Sequence, residues 1–555
     1  MNKAAIWHEA TQRYCFCLEP GRFLIRLQTG ADRLRAVYLH SRDKYLPLTV
    51  LDTRKKTPMT KAASDGLRDY YEAELSFQVV CLRYYFEIVD EEGVSWFYSN
   101  DRFTRTPPTD IERFFDCPQT LREEERFVTP AWAKNKVIYQ IFPSRFATTE
   151  PVPDQVWYQE PISALADLRG NLPGILQRLP HIRELGADVV YLTPIFYSHS
   201  SHKYDTIDYY RIDPTFGTEQ DLIALVEKAH SLGLRVILDG VFNHTGTDFF
   251  AFRDLKEKEV QSDYVNWYYP ESFPLRVFPG KPNYKTFSYF FGMPKVNLRC
   301  REAAKYFTDV ALHWLRVTGA DGWRLDVADE LPDEFLKLLY DRVKQLKPDA
   351  LLIGEVWEDA SNKSSYGTRR RYFVDGELDS PMNYPFRTAI INFMRKIDDG
   401  RGFRDTVMSI VENYPPQVMA CTMNLLGTHD TSRILTAMID DFQGDRYAKA
   451  HRRLTRQQWI TALDRLHAAT VLQFTLPGAP SIYYGDEAGM EGYGDPFCRR
   501  PFPWGREERE LQMHYHRLGQ LRKKYEALRT GDIQFTQAVN NQISFTRTSG
   551  SQTIR

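Results

Sequence analysis

The chain has 555 residues, which is too long for one ordinary domain and predicts about three, unless one of them is a large barrel. Charged residues make up 26% and the formal net charge is -1, so the sequence lacks the basic surface typical of nucleic-acid binding. No apolar run is long enough for a membrane span or a signal peptide, and the seven cysteines lack metal-type spacing, so we expect a reduced, cytoplasmic protein.

Residues 1–125 predict a β-sandwich, because short runs rich in β-branched and aromatic residues alternate there with turn residues. The runs are RFLIRLQTG (22–30), LRAVYLH (34–40), YYEAELSFQ (70–78) and LRYYFEIVD (82–90). The polar segment TRTPPTDIERFFDCPQTLREEERF (104–127) reads as a connector to the next region.

Residues 126–530 alternate strand-like runs with helical periodicity, a pattern that predicts a parallel sheet with helices around it. Eight such units in this length predict a (β/α)8 TIM barrel, so the fold class is α/β. The strand-like runs are VIYQIF, VVYLTPIF, VILDGVF, GWRLD, LLIGEVW, the segment near YFVDGEL, MNLLGTHD and SIYYGDE.

Two further segments accompany the barrel. Residues 245–300 follow the third strand, are rich in Phe, Tyr and Trp and have few helical signals, so we expect an inserted subdomain. Residues 531–555 resemble short β-strands that cannot form a domain by themselves. They either pack on the barrel as a short C-terminal β segment or begin a domain that is cut short.

Acidic residues and histidines follow four of the predicted strands, at the end where barrels of this class carry their active sites. Paired carboxylates at one site fit glycoside hydrolysis, in which one acts as nucleophile or base and the other as acid. The same residue types also ligate metals, but the fixed positive charge of Arg324 beside Asp326 disfavours a cation there. The residues in question are Asp239, Asn243, His244, Arg324, Asp326, Glu355, His429 and Asp430.

Several motifs resemble those of the alpha-amylase family, glycoside hydrolase family 13, and they occur in the family's order. The four principal regions are DGVFNH (239–244), GWRLDVADE (322–330), GEVWED (354–359) and LLGTHDTSR (425–433). A fifth motif, MPKVN (293–297), is typical of the subgroup of neopullulanase, cyclomaltodextrinase and maltogenic amylase. HKYDTIDYY (202–210), MNYPF (382–386), IYYGDE (482–487) and DPFCRRPFPW (495–504) resemble that subgroup as well.

The resemblance implies a retaining hydrolase of α-1,4-glucosidic bonds in cyclodextrins, pullulan and maltooligosaccharides, with transglycosylation as a side activity. Asp326 matches the nucleophile, Glu355 the acid/base and Asp430 the third acid. Arg324 would keep Asp326 ionised, since a neighbouring positive charge lowers a carboxylate pKa. The expected substrate-binding residues are Tyr204, His244, Arg324, His429, Trp357, Asp495 and Arg499. Asp239 either orients Arg324 or contacts the sugar itself.

The implied mechanism requires no metal or organic cofactor. Calcium takes about six or more oxygen ligands. Asn171 and Asp154, the candidates in the loop after strand one, are too few, so a calcium site there is not expected. The implied partners are α-glucan oligosaccharides and a second copy of the chain, a homodimer formed through the N-terminal sandwich; neither nucleic acid nor membrane is expected. Two alternatives stay open, a 4-α-glucanotransferase with the same covalent intermediate and a non-catalytic sugar-binding protein.

Overall fold

A computed structural model gives the architecture of the protein. It describes residues 1–11, 14–19, 21–31, 34–45, 55–77, 82–100, 102–117, 127–160, 168–361, 363–365, 367–373, 376–440 and 442–555. Most of the second half of the predicted connector, and with it the proposed boundary at residues 125 and 126, lies outside the described residues.

Two antiparallel sheets make up the N-terminal region. One has the strand order β1-β2-β6-β5, and the other has the order β4-β3-β7-β8-β9 with β10 paired to β7. Phe23 and Ile25 of β2 pack with Tyr84 and Phe86 of β7 in one core, as expected when two sheets face each other. The predicted sandwich is therefore confirmed. Its strands are β1 (Cys15–Glu19), β2 (Arg22–Gly30), β3 (Ala36–Asp43), β4 (Lys55–Pro58), β5 (Thr60–Ser64), β6 (Arg68–Ser76), β7 (Leu82–Val89), β8 (Ser95–Ser99), β9 (Arg102–Thr104) and β10 (Phe115–Asp116).

Eight parallel strands form the predicted barrel, in the order β20-β17-β16-β15-β12-β11-β22-β21. The two ends of this sheet meet at a β-bridge between Met382 and Met423, which closes the circle. β13 pairs with β14, and β18 with β19, in two small ribbons outside it. These strands are β11 (Ile138–Ile141), β12 (Val189–Leu192), β13 (Phe196–Tyr197), β14 (Asp208–Ile212), β15 (Arg235–Gly240), β16 (Gly322–Leu325), β17 (Leu351–Gly354), β18 (Ser364–Ser365), β19 (Thr368–Arg369), β20 (Ser380–Pro381), β21 (Met423–Leu425) and β22 (Ala479–Tyr483).

Helices surround the barrel and bury one face each. In α4, Thr218 and Asp221 form a capping box at the N-terminus, which satisfies amide groups that the first turn leaves unpaired. Leu222, Leu225 and Val226 then recur at helical spacing and are buried. The helices are α1 (Pro143–Phe146), α2 (Asp154–Trp157), α3 (Leu172–Glu184), α4 (Glu219–Ser231), α5 (Phe250–Lys258), α6 (Arg301–Thr318), α7 (Asp333–Leu346), α8 (Tyr384–Met394), α9 (Gly400–Asn413), α10 (Pro416–Cys421), α11 (Ile434–Ala437), α12 (Arg446–His451), α13 (Arg456–Thr475), α14 (Arg509–Lys524) and α15 (Glu526–Thr530).

The sixth barrel strand differs from the sequence prediction. It was expected near YFVDGEL (372–378), two residues of which lie outside the described part of the chain, but β20 is the dipeptide Ser380–Pro381. A proline and a serine carry no strand propensity. Their pairing is imposed by β17, whose Ile353 and Gly354 align with them.

The inserted and C-terminal segments are better ordered than the sequence suggests. The insert contains α5, and Phe252 of α5 lies 4.9 Å from Tyr268 and 5.1 Å from Tyr284 between ring centroids. The C-terminal segment is a three-stranded antiparallel sheet of β23 (Asp532–Val539), β24 (Gln542–Ser549) and β25 (Gln552–Ile554). Its Phe535 packs against Phe403 of α9, so this segment rests on the barrel's outer layer.

Candidate active site

The carboxyl ends of the barrel strands open into a cavity of about 420 Å³. Parallel strands that pair in register end at the same rim, so residues that follow β16, β17 and β21 meet there. The cavity is lined by His202, Tyr204, His244, Phe287, Met293, Asp326, Val327, Asp329, Glu330, Glu355, Trp357, His429, Asp430, Asp495 and Arg499.

The guanidinium of Arg324 lies beneath the cavity, is 0% exposed and joins three carboxylates. Its Nη1 is 2.8 Å from Asp326 Oδ1 and 3.1 Å from Asp239 Oδ1, and its Nη2 is 2.8 Å from Glu355 Oε2. Its Nε is 3.4 Å from Met382 Sδ. One buried cation therefore holds the carboxylates of three neighbouring strands in a fixed relation.

The charge balance of this cluster governs its protonation. Burial raises the pKa of Asp326 well above its usual range, against a lowering by Arg324, and the negative charge of Glu355 raises it further. Burial likewise raises the pKa of Asp239. Arg324 thus acts on Asp326 in the expected direction, but burial outweighs it. With three carboxylates around one guanidinium, the fully ionised cluster carries an excess of negative charge, so it has a strong tendency to hold a proton.

Glu355 is held by groups from its own strand end and from the one beside it. The amide of Val327 donates to Oε2 at 2.9 Å, and the indole Nε1 of Trp357 donates to Oε1 at 3.1 Å. Val327 aims its amide from a left-handed backbone, with φ 47° and ψ 47°, which is rare for a β-branched residue. Trp357 stacks on Tyr384 at 4.0 Å between centroids and stays 46% exposed, so its other face is open to a ligand.

A chain of hydrogen bonds fixes the tautomer of His429. The Gln140 amide donates to His429 Nδ1 at 2.8 Å, so the proton of the neutral ring is on Nε2 and is donated to the Tyr204 hydroxyl. Tyr204 in turn donates to Asp239 Oδ2 at 3.0 Å. Burial lowers the pKa of His429 well below its usual range, which keeps the ring neutral. The aromatic floor of the cavity is therefore rigid.

Arg499 organises the opposite wall. Its Nε donates to the carbonyl of His429 at 2.8 Å, its Nη2 lies 3.1 Å from Asp430 Oδ1, and its Nη1 lies 2.7 Å from Asp495 Oδ1. Asp430 is also 3.1 Å from His429 Nε2. Asp430 and Asp495 are thereby oriented from one side of the cavity.

His244 presents a free ring nitrogen at the cavity. Its ring stacks on Phe287 at 4.8 Å, and Asn243 Nδ2 lies 3.4 Å from its Nδ1. Burial lowers its pKa to about 3, so the ring is neutral. Its Nε2 is buried and has no hydrogen-bond partner within the described ranges. An unpaired buried nitrogen costs free energy, so a polar group of a bound ligand would stabilise it.

Of the residues predicted to be catalytic or substrate-binding, all except Arg324 line this one cavity, and Arg324 contacts Asp326 and Glu355 from below. Asp239 is buried against Arg324, Tyr191 and Tyr204 and does not line the cavity, which favours the orienting role over sugar contact. The sequence reasoning missed Phe287 and Val327. Met293, also missed, belongs to the MPKVN motif, which carried the signal.

The loop residues considered for calcium have other partners. Asn171 caps α3 by accepting from the Gly174 amide at 2.8 Å, and Asp154 pairs with Arg506 at 2.8 Å near the surface. Across the part of the chain that the structure covers, no three His, Cys, Asp or Glu side chains cluster in a way that could hold a metal ion. In the same part, no helix combines the length and apolarity of a membrane span.

Comparison with protein families decides the identity of the fold. A family model described as "Alpha amylase, catalytic domain" matches residues 140–514. The chain belongs to the alpha-amylase family. A second model, "Alpha amylase, N-terminal ig-like domain", matches residues 1–120, so the alpha-amylase assignment covers the sandwich as well as the barrel.

Individual alpha-amylase family members narrow the likeness to the expected subgroup of glycoside hydrolases. A cyclomaltodextrinase of Geobacillus thermopakistaniensis is 36% identical over 563 residues, covering 100% of this chain and 90% of the relative. Neopullulanase 2 of Thermoactinomyces vulgaris is 36% identical over 564 residues, covering 99% and 90%. A solved cyclomaltodextrinase structure matches with a TM-score of 0.88 and 33% identity, covering 100% of this chain and 90% of its own.

Proposed function

We propose that the protein hydrolyses α-1,4-glucosidic bonds in cyclodextrins, pullulan and maltooligosaccharides with retention of configuration. The bridging of Asp326 and Glu355 by Arg324 carries the proposal. Retaining enzymes place their two carboxyl groups about 5 to 5.5 Å apart, whereas inverting enzymes need about 6.5 to 9.5 Å to admit a water. Two carboxylates bound to adjacent nitrogens of one guanidinium support the closer spacing.

Asp326 is assigned as the nucleophile. Arg324 holds its Oδ1, and the other oxygen attacks the anomeric carbon as the glycosidic bond breaks, which gives a covalent glycosyl-enzyme. Glu355 gives its proton to the departing glycosidic oxygen. In the second step Glu355 removes a proton from water, the water oxygen attacks the anomeric carbon, and the bond to Asp326 breaks. Both side chains return to their starting states.

The three carboxylates around Arg324 suit a mechanism with one nucleophile and one acid/base. The reaction needs one carboxyl group protonated and one ionised before the first step, and three carboxylates around Arg324 favour the uptake of one proton. Once Asp326 is esterified by the sugar, it carries no negative charge, and Glu355, which has given its proton to the leaving group, is ready to act as a base.

The half-exposed face of Trp357 supports transglycosylation as a side activity. It lies beside Glu355, where an arriving molecule must give up its proton. A sugar stacked on the indole would place a hydroxyl there in competition with water, since aromatic faces bind sugar rings through their apolar CH surfaces. The alternative function, a 4-α-glucanotransferase, rests on the same feature. It differs only in that a sugar hydroxyl, and not water, would be the main acceptor of the glycosyl group.

Product analysis tests the proposal. We expect the wild-type protein to open γ-cyclodextrin, to release panose or maltose from pullulan and to act weakly on soluble starch. Asp326→Asn, which keeps the shape of the side chain, should abolish all three activities, and proton NMR of the first products should show the α-anomer. A wild-type protein that binds γ-cyclodextrin without cleaving it would establish the sugar-binding alternative, and an initial β-anomer would refute retention.

We also propose that two copies associate through the N-terminal sandwich and that the protein is cytoplasmic. The resemblance of the sandwich to that of the subgroup supports the association, and Trp7, Tyr45 and Leu67, which are 52%, 70% and 71% exposed, are apolar side chains there that a partner could cover. Light scattering that gives the mass of one chain at micromolar concentration would refute the association. Fractionation of native cells tests the location.

A further inference from the structure

A second cavity lies at the opposite end of the barrel from the candidate active site. It has a volume of about 300 Å³ and opens between the residues that precede β11 and β12, the end of α14 and the short helix α15. Five of its lining side chains are cationic, although the whole chain has a net charge of only -1. They are Lys134, Lys136, Arg522, Lys523 and Arg529.

The carboxylate of Asp188, also in the lining, does not neutralise these cations. Its Oδ1 is bound by Arg183 Nη1 at 3.1 Å, and its Oδ2 accepts from the Val137 amide at 3.2 Å. Within the described residues, neither Lys136 nor Lys523 has a carboxylate oxygen within 4.0 Å, and Lys134 and Arg529 have none either. The cavity therefore collects positive charge that the protein itself leaves uncompensated.

Arg522 forms the floor of the cavity and is buried. Its Nη1 donates to the carbonyls of Phe474 at 2.7 Å and Leu528 at 2.9 Å, and its Nη2 donates to that of Gly478. Those carbonyls use its protons but do not remove its charge. Burial, together with the cations of Arg547 and Arg529 and against the carboxylate of Asp188, lowers the pKa of Arg522 to about 9.

The same crowding extends to the rim. Burial lowers the pKa of Lys523, and the positive charges of Arg183 and Lys136 act in the same direction, against Asp188. Arg529 has a buried Nε without a hydrogen-bond partner in the described ranges. Gathering cations in this way costs free energy, and an anion bound among them would recover it.

We propose that this cavity binds a small phosphorylated molecule, with the phosphate group held by Lys136, Lys523 and Arg529. A doubly charged oxyanion neutralises several cations at once, and lysine point charges with a forked guanidinium are the usual partners of phosphate. The cavity is at the lower end of the range of small-molecule sites, about 300 to 1,000 Å³. It exceeds the needs of a bare ion, and Thr530 and Asn135 supply polar groups for the rest of the ligand.

Calorimetric titration at constant ionic strength tests this proposal, with glucose 6-phosphate, inorganic phosphate and glucose as separate probes. We expect the wild-type protein to bind glucose 6-phosphate saturably at one site, and the variant Lys136→Glu with Lys523→Glu to bind it at least about tenfold more weakly. These two lysines make no hydrogen bond or ion pair in the described structure, so the variant should fold. Because it relieves repulsion, its melting temperature without ligand should be no lower than that of wild type.

A matched control changes the net charge equally at two exposed positions that do not line the cavity, Lys228→Glu with Lys281→Glu. This control should keep wild-type binding. Equal affinity for the two phosphate probes assigns the site to the phosphate group alone, and tighter binding of glucose 6-phosphate assigns it to a phosphorylated sugar. The proposal would be overturned if glucose 6-phosphate gave no saturable binding heat with the wild type, or if the charge-reversed variant bound it with equal affinity. It would also be overturned if glucose itself bound to the wild type and the charge reversal removed that binding.

Discussion

Replacing Arg324 with methionine removes the cation shared by Asp239, Asp326 and Glu355 while keeping much of the side-chain volume. A pair of opposite charges about 4 Å apart interacts by about 4 kcal/mol at an effective dielectric constant of about 20, which corresponds to about 3 pKa units. Water entering the vacated space compensates part of this loss. We therefore expect the pKa of Asp326, already raised by burial, to rise by at least about one further unit.

Activity should respond in its dependence on pH as well as in its size. The nucleophile must be ionised, so the acid limb of kcat/KM should move to higher pH by about one unit or more, and the maximal rate should fall. The free energy of unfolding should depend on pH in the opposite way to the activity, falling as pH rises. Burial already raises the folded-state pKa of Asp326 and of Asp239 above their unfolded values, and the loss of Arg324 raises both further, so the native state binds more protons and loses stability as pH rises. Removing one partner of a buried pair costs about 3 to 5 kcal/mol when the remaining charge is ionised.

The assay is a pH series of initial rates on γ-cyclodextrin together with urea unfolding at the same pH values. Arg433→Met is the matched control, because Arg433 is also 0% exposed and pairs with a buried carboxylate, Asp486, outside the cavity. The control should lose stability and keep the wild-type acid limb. An unchanged acid limb in Arg324→Met would show that Arg324 does not tune Asp326, and the electrostatic reasoning would then be wrong.

Three further substitutions give independent tests. Trp357→Ala should weaken acceptor binding roughly two- to tenfold, the loss of one aromatic contact of about 0.5 to 1.5 kcal/mol, so the ratio of transfer to hydrolysis products should fall. Burial lowers the pKa of His8 to about 3. Below about pH 6.5 the unfolded state therefore binds a proton that the native state does not, and the free energy of unfolding decreases as pH falls. His8→Gln should remove this pH dependence from the free energy of unfolding measured with urea. Val327→Gly should relieve backbone strain of about 1 kcal/mol or more and raise the melting temperature while kcat falls, because the amide that holds Glu355 becomes less fixed; equal or higher kcat would contradict that role.

The barrel was predictable from sequence where burial sets the pattern. VIYQIF, VILDGVF and LLIGEVW are apolar because both faces of their strands are covered, and all three became strands. β20 was misplaced because a two-residue strand ending in proline has no pattern of its own. The edge strands β4 and β5 were missed because KKTP and TKAAS are polar and exposed, and their pairing is decided by β3 and β6.

Some residues of the candidate site were predictable from the sequence and others were not. Asp326, Glu355 and Asp430 follow strands, so the fold class alone brings them to one rim. Phe287 lies in an insert with many aromatic residues, and only the folded path of the insert shows that it stacks on His244. The strained backbone of Val327 was equally invisible, since its conformation depends on the contact of its amide with Glu355.

The seam that closes the barrel, between β20 and β21, has one β-bridge, Met382 to Met423, where the other neighbouring strands form ladders of two or more residue pairs. Hydrogen bonds from the Asn383 amide to the Met423 carbonyl and from the Ser380 hydroxyl to the Cys421 carbonyl support it. The sulfur of the same Met382 lies 3.4 Å from Arg324 Nε, so this shortest strand pairing of the barrel adjoins the cation that orders the carboxylates. On heating, the seam should part while the other strand pairs still hold. Catalytic activity would then be lost before global unfolding, with half of the activity lost at a temperature below the spectroscopic melting temperature.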